Sequence, residues 1–360
     1  MLKSLSKEYS VFLALMTIGG MLFFEHTLSS TSIGNLIGFI IIFSVIIYSS
    51  ISVAHHAEKL AEKYGEPYGT LILTISAVLV EIVIIVIMMM HSKDPLLARD
   101  TIYSAVMLDI NGLLGIAAII GGIKYGEQPY NVDSSNSYLG MLITAFGIAM
   151  IIPHFITENH IYMYNIFVII AFIALYIVFT KIQLSNHKYF FEYNEVKEEE
   201  HSTEHINAPF HILILVGSII MIGFLSEVLS VFMGNTLNEY NMPLAIGAVT
   251  VALISASPEL ITAIRAALDN RMQTVVNIAL GASLATLLLT VAAVLIISRF
   301  IGLEIEMALT PLQGVMIGLT ILISIVNFSD GETNVLEGFL HFILFIVFLF
   351  LIFVWFFGNI

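Results

Sequence analysis

The sequence predicts an all-α polytopic membrane protein of about 11 transmembrane helices, its core two inverted-topology five-helix repeats. Three observations predict it: composition, recurring apolar runs, and one layout of glycine and acid that occurs twice. Of 360 residues, 58% are hydrophobic and 11% charged, against the roughly 45–50% apolar usage of soluble domains. Mean hydropathy is +0.97. A helix needs about 20 apolar residues to cross the hydrocarbon core, and such runs recur along the whole chain. They lack the alternation of membrane barrel strands, so each is read as a helix that satisfies its own backbone in lipid.

The expected spans are 10–24, 33–53, 69–90, 100–124, 138–153, 162–182, 209–234, 243–268, 273–299, 307–327 and 335–357. The first follows Lys3 and Lys7 but runs into Glu25 and His26 with no small-residue cleavage site, so no signal peptide is expected. The second ends at His55, His56, Glu58, Lys59 and Glu62, read as a solvated helix end. The third carries Glu81, and the fourth Asp109, Asn111, Gly112 and Gly115. Past the sixth comes a run with Glu192, Glu195, Glu198, Glu199, Glu200, Glu204, His201 and His205, read as solvated linker without an EF-hand pattern. The seventh span carries Glu227, and the eighth Ser255, Ser257, Pro258 and Glu259. The ninth has Asn277, Gly281, Ser283 and Thr286, and the eleventh Glu337 and His341. The expected division is an N-terminal extra helix at 1–32, a first repeat at 33–182 (helices 2–6), an acidic cytoplasmic loop at 183–208, and a second repeat at 209–360 (helices 7–11).

With the amino terminus inside, Lys3, Lys7, Lys59, Lys63, Lys124, Lys181, Lys188, Lys197, Arg265 and Arg271 fall on the inner side, and only Lys93, Arg99 and Arg299 outside. That asymmetry satisfies the positive-inside bias; an odd number of spans then puts the carboxyl terminus outside. Glu81 lies 12 residues after Gly69, and Glu259 lies 12 after Gly247. Their spans, third and eighth, are an odd number apart and cross in opposite senses. This is the arithmetic of an inverted repeat, in which substrate binds near the midplane.

Twelve residues of helix are about 18 Å, which puts both acids near mid-bilayer. A carboxylate there costs about 2.5–3.5 kcal/mol even on lenient scales, so it is expected to face protein or water and to have a task. Pro258 removes a helical hydrogen bond and frees the Ile254 carbonyl beside Glu259. Ser255 and Ser257, with Ser76 and Thr74 near Glu81, offer hydroxyl oxygens, although for any one of them helix packing is the commoner role. Oxygen-only donors suit Ca²⁺, and Na⁺ less strongly. Asp109 is read equally as a third site acid or a paired structural one. Glu227, Glu337 and His341 are candidate proton-relay groups, the histidine being more often a packing residue. Cysteine is absent, which excludes thiol chemistry and disulfides, and the net charge of −14 argues for cationic partners and against nucleic acid. Neither an HExxH zinc motif nor a Gly-x-Ser-x-Gly elbow is present, so an enzyme is not expected.

Several stretches resemble the calcium/cation antiporter superfamily, and most closely its bacterial sodium/calcium–proton antiporter group. They are the run from His56 to Thr74, Ser257-Pro258-Glu259, Gly281-Ala282-Ser283-Leu284-Ala285-Thr286, Ser226-Glu227, and Phe328 to Gly338. The last is similar to the Asp-Gly-x-Ser-Asn-x-Leu-Glu-Gly run of calcium–proton exchangers. The resemblance implies that one acid from each repeat, Glu81 and Glu259, forms the cation site. The chain departs from the family pattern in carrying Val78 to Val80 ahead of Glu81, and Ala285 and Thr286 where the family has Gln or Asn. The choice among Ca²⁺, Na⁺ and K⁺ therefore stays open.

The expected function is secondary active cation/proton antiport by alternating access, most simply Ca²⁺ extruded against protons, with Na⁺ or K⁺ exchange as the alternative. A cation channel and an intramembrane hydrolase are the remaining readings. No cofactor is expected: the cations are transported substrate, and the other partners are protons and membrane lipid. The expected location is the plasma (inner) membrane of a prokaryote.

Overall fold

The computed structural model describes residues 8–64, 68–183 and 206–357. Lys3, Lys7 and the acidic run with His201 and His205 lie outside the described residues. The helices are α1 (Tyr9–Ser29), α2 (Ser32–Tyr64), α3 (Tyr68–Ser92), α4 (Leu97–Met107), α5 (Leu114–Tyr125), α6 (Val132–Phe146), α7 (Glu158–Lys181), α8 (Ala208–Glu239), α9 (Ala245–Leu268), α10 (Met272–Ala285), α11 (Val291–Ile301), α12 (Pro311–Asn327) and α13 (Val335–Phe357). A π segment, Leu108–Leu113, joins α4 to α5, and another, Thr286–Thr290, joins α10 to α11; each joined pair makes one span. Among the described residues ten spans are long and apolar enough to cross a membrane, and α12 is a shorter apolar helix. All eleven expected spans are thus helical.

The two halves of the chain follow one plan. Ser32 and Ala208, Tyr68 and Ala245, Leu97 and Met272, Leu108 and Thr286, Val132 and Pro311, and Glu158 and Val335 begin matching elements, each pair 175 to 179 residues apart. Such constant spacing over six elements is what an internal repeat gives and a chance coincidence of one motif does not.

Two compact units divide the helices differently from the two halves. One gathers α1, α2, α3, α8 and α9 as far as Pro258; the other gathers α4 to α7, α9 from Glu259, and α10 to α13. In the first, α2 and α8 are the most intimate pair. Asn35 of α2 donates to Glu239 of α8 (3.0 Å) and accepts from Asn235 (3.1 Å), while at the opposite ends His56 meets His211. The leading helices of the two halves therefore run antiparallel, as an inverted repeat requires. At Gly38 a β-carbon would lie 2.5 Å from the Phe232 ring, so the glycine is what lets the aromatic ring seat against α2.

The second unit is centred on α5 and α13, which meet backbone to backbone. A β-carbon at Gly115 would lie 2.8 Å from the Phe342 nitrogen, and one at Gly338 2.7 Å from the Ile119 nitrogen. Small residues allow such approach in membranes, where lipid gives apolar side chains little reason to associate. Below this pair, strands β1 (Gln128–Pro129) and β2 (Glu332–Thr333) pair antiparallel. The last carbonyls of α9 are capped by side chains: Lys124 Nζ and Tyr125 Oη each donate to Leu268 O (2.6 Å), and Gln128 Nε2 donates to Ala267 O (3.1 Å). These are the acceptors that a helix end leaves unsatisfied. Tyr130 donates to Asn327 O (3.0 Å), and burial raises its phenol well above the ordinary value, so the proton it donates is retained.

Two local expectations are corrected. Helix α2 continues eleven residues past the expected edge at 53, and His56 is not solvated: it is 1% exposed, held by Glu8 and His211. Polar partners on neighbouring helices, invisible to hydropathy, bury it. Likewise α6 begins at Val132 rather than 138, because the Asn131 side chain accepts from the Asp133 and Ser134 N–H groups and caps a polar first turn.

Candidate functional site

In the first unit Glu81 sits near the middle of α3, 3% exposed, on the face that also buries Val80, Ile84, Ile85 and Met88. The apolar face of a helix is a costly place for an acid, so its position is a constraint rather than an accident. Ser76, a turn and a half earlier, donates its hydroxyl to Ile72 O (2.6 Å). Helix α8 lies close alongside: a β-carbon at Gly223 would come within 3.4 Å of the Val83 and Ile87 side chains. Within the same unit Ser49 and Ser50 of α2 and Ser218 of α8 bury hydroxyls that take no hydrogen-bond partner among the described residues. Sequence reasoning missed these three; a serine pair inside an apolar run was the available signal.

On α9, Ser255 donates to Ala252 O (3.0 Å) and Ser257 to Leu253 O. Spending the hydroxyl proton on the helix leaves each oxygen with lone pairs only, which is the state a cation ligand needs. Pro258 stands inside the helix and supplies no N–H to the Ile254 carbonyl. Glu259 follows it directly, half-buried. The boundary between the two compact units falls at this bond.

In the second unit the structure gathers most of the remaining candidates around the first π segment. Asp109 is 2% exposed and accepts from the Ser283 hydroxyl (3.3 Å), joining the fourth span to the ninth. Asn111 is fully buried; its Nδ2 donates to Thr320 Oγ1 (2.8 Å), and its Oδ1 lies 3.1 Å from His341 Nδ1. Thr320 passes its own proton to Met316 O (2.9 Å). An amide oxygen only accepts, so His341 donates from Nδ1 and both ends of the Asn111 amide are occupied. Thr286 opens the π segment between α10 and α11 and is buried. π segments break the regular ladder and concentrate at functional sites, yet nothing in local sequence marks them.

Two candidates stand apart from these buried groups. Glu227 is exposed on α8, and Glu337 lies in the first turn of α13, accepting from Asn334 Nδ2 (3.0 Å), nearer a helix end than mid-span. The donors assembled are carboxylates, hydroxyls and carbonyls, the oxygen set that hard cations prefer.

Thr320→Val removes the acceptor of Asn111 Nδ2 and is expected to lower stability by about 1–3 kcal/mol, read as a drop in Tm of the detergent-purified protein. An unchanged Tm contradicts the assigned network.

A family model described as sodium/calcium exchanger protein matches residues 34–185 and 210–354. The sodium-potassium/proton antiporter ChaA of Escherichia coli (strain K12) is 31% identical over 321 residues, 86% of this chain and 86% of that one. The Ca²⁺/H⁺ antiporter ChaA of Bacillus subtilis (strain 168) is 25% identical over 233 residues, 62% of this chain and 66% of its own length. Among solved structures, native YfkE superposes with a TM-score of 0.76 at 19% identity, covering 96% of this chain and 99% of that one, a likeness of fold.

Proposed function

The chain belongs to the sodium/calcium exchanger protein family, and from that premise we propose that it is a secondary active cation/proton antiporter, not an enzyme, in which Glu81 and Glu259 take up either a cation or protons. The observation that carries the reading is the pair of mid-helix carboxyls at matching places in the two halves, Glu81 on a buried face and Glu259 directly after a proline inside its helix. Two carboxylates balance one Ca²⁺ or two protons, so Ca²⁺ against two protons is the simplest cycle, with access alternating between the two sides. Ser255 and Ser257 are proposed as neighbouring ligands of Glu259. Asp109, Ser283 and Thr286 are proposed as polar lining, while Asn111, its amide occupied by Thr320 and His341, supports the lining rather than binding through its own oxygen. Glu227, Glu337 and His341 are the groups proposed to pass protons.

The repeats are proposed to span 33–182 and 209–360, after an extra helix at 1–32, with 183–208 on the cytoplasmic side. That places the amino terminus inside and the carboxyl terminus outside a prokaryotic inner membrane.

Exchange of Na⁺ or K⁺ for protons is the second reading, favoured by the name of the Escherichia coli relative, just as the Bacillus subtilis relative's name favours Ca²⁺. The two are separated in sealed vesicles holding a pH gradient, by adding each cation in turn. Collapse of the gradient by Ca²⁺ supports the first reading; collapse by Na⁺ or K⁺ alone transfers the proposal to the second. A gradient indifferent to all three contradicts antiport.

A further inference from the structure

At one end of the first unit, where α2 finishes and α1 and α8 begin, two imidazoles face each other nitrogen to nitrogen. His56 Nδ1 lies 2.8 Å from His211 Nδ1, and His56 Nε2 lies 3.1 Å from Glu8 Oε2. His56 is thus the hub of three helices, and Ser10 to Ser52 (2.8 Å) and Lys63 to Ile206 O (2.9 Å) tie the same end. The reading of the transport site uses none of these groups. Histidine is the side chain whose ordinary titration falls near physiological pH, so the pair is read as holding a proton.

The contact restricts the pair's protonation. A nitrogen–nitrogen hydrogen bond needs one N–H and one lone pair. The Glu8 carboxylate only accepts, so His56 keeps its proton on Nε2 and presents a bare Nδ1, and His211 donates from Nδ1. This arrangement survives one added proton, on the far nitrogen of His211. It does not survive a second, because two imidazolium rings would bring two N–H groups against each other. Among the described residues the titratable and charged groups around the pair are Glu8 at the N-cap of α1, His55 and Lys59 from α2 itself, and His211 from α8; the first turns of α3, from Ile72 to Val80, carry none. Lys59 is engaged with Glu62 (2.9 Å).

We propose that Glu8, His56 and His211 form a proton-operated latch between α2 and α8, closed while at most one of the two rings is charged and open when both are. Helix α8 runs on from His211 to Gly223, where it lies against Val83 and Ile87 on either side of the next turn after Glu81. Opening the latch releases the end of the helix that supports the Glu81 segment, so acid on that face of the membrane slows exchange. The effect on exchange rests on the antiport reading; the opening itself does not.

The chain has no cysteine, so Tyr48→Cys and Val216→Cys, both at exposed positions, give a unique spin-label pair on α2 and α8. The distance between them is expected to lengthen from alkaline to acid pH in the otherwise unchanged protein. With His211→Gln, whose amide can either donate to His56 Nδ1 or accept from it, the lengthening should vanish. In vesicles the same substitution should remove the acid limb of the flux profile while keeping the alkaline plateau. Distances that do not change with pH in the unsubstituted background, or a His211→Gln protein with the same distance change and flux profile, overturn the latch. Should His211→Gln fail to fold, Glu8→Gln replaces it, expected to displace the pH of opening; an undisplaced transition overturns the proposal equally. If no cation moves protons at all, the antiport reading fails and the distances still decide the latch.

Discussion

Glu259→Gln and Glu81→Gln are each expected to abolish cation-driven proton flux in sealed vesicles while yielding folded protein. Glutamine keeps the volume and one carbonyl oxygen and removes the charge, so packing on the buried face of α3 and along α9 is preserved. The cation loses half of its balancing charge. Removing one partner of a close, desolvated charge pair costs about 2–5 kcal/mol, which is about 30-fold to several-thousandfold in affinity. One of the two protons loses its acceptor, since an amide does not titrate, and the exchange cycle can no longer close. Flux within a few-fold of the unsubstituted protein in either variant would show that the acid is structural.

The largest loss of stability is expected at the glycines between α5 and α13. At Gly115 an added side chain meets the Phe342 nitrogen and the Gly338 carbonyl; at Gly338 it meets the Ile119 nitrogen and the Gly115 carbonyl. Those are backbone atoms, which cannot swing aside as a flexible side chain can. Overpacking a well-fitted core costs about 1–3 kcal/mol per site, and Gly115→Leu with Gly338→Leu should exceed that, because each clash blocks the same helix approach. Gly140 and Gly217, with open space where a side chain would go, supply the control. Loss of monodisperse protein in the first pair and normal yield with Gly140→Ala and Gly217→Ala is the expected result. Equal yields would contradict the close approach of the two helices.

Hydropathy located the spans because lipid contact demands apolar length, and helix is the one economical way to satisfy backbone there. The twofold spacing of glycine and glutamate gave the repeat, which the matching order of elements and the antiparallel α2 and α8 support. What hydropathy could not show is anything decided between helices. His55 and His56 look like the polar end of a span; only the presence of Glu8 and His211 on two other helices makes a buried position tolerable for His56. The polar start of α6 looks like loop until Asn131 caps it. The polar residues of the π segments, Asp109 and Asn111 in one and Thr286 and Thr290 in the other, were visible, but nothing in the sequence showed that the helical ladder shifts register there. Asp109 was legible as an intramembrane acid, but its link to Ser283 on another span was not.

The central claim is that cation and protons compete for the same two carboxyls, and it is tested most directly by counting protons released per cation bound. Calorimetric titration of the purified protein in buffers of different ionisation enthalpy gives that number without vesicles or orientation. The account predicts release on cation binding, tending to two protons per Ca²⁺ at the pH where both carboxyls are protonated, and a smaller release with Glu81→Gln or Glu259→Gln. Binding of Ca²⁺, Na⁺ or K⁺ with no proton release, or release unchanged in both variants, would contradict it.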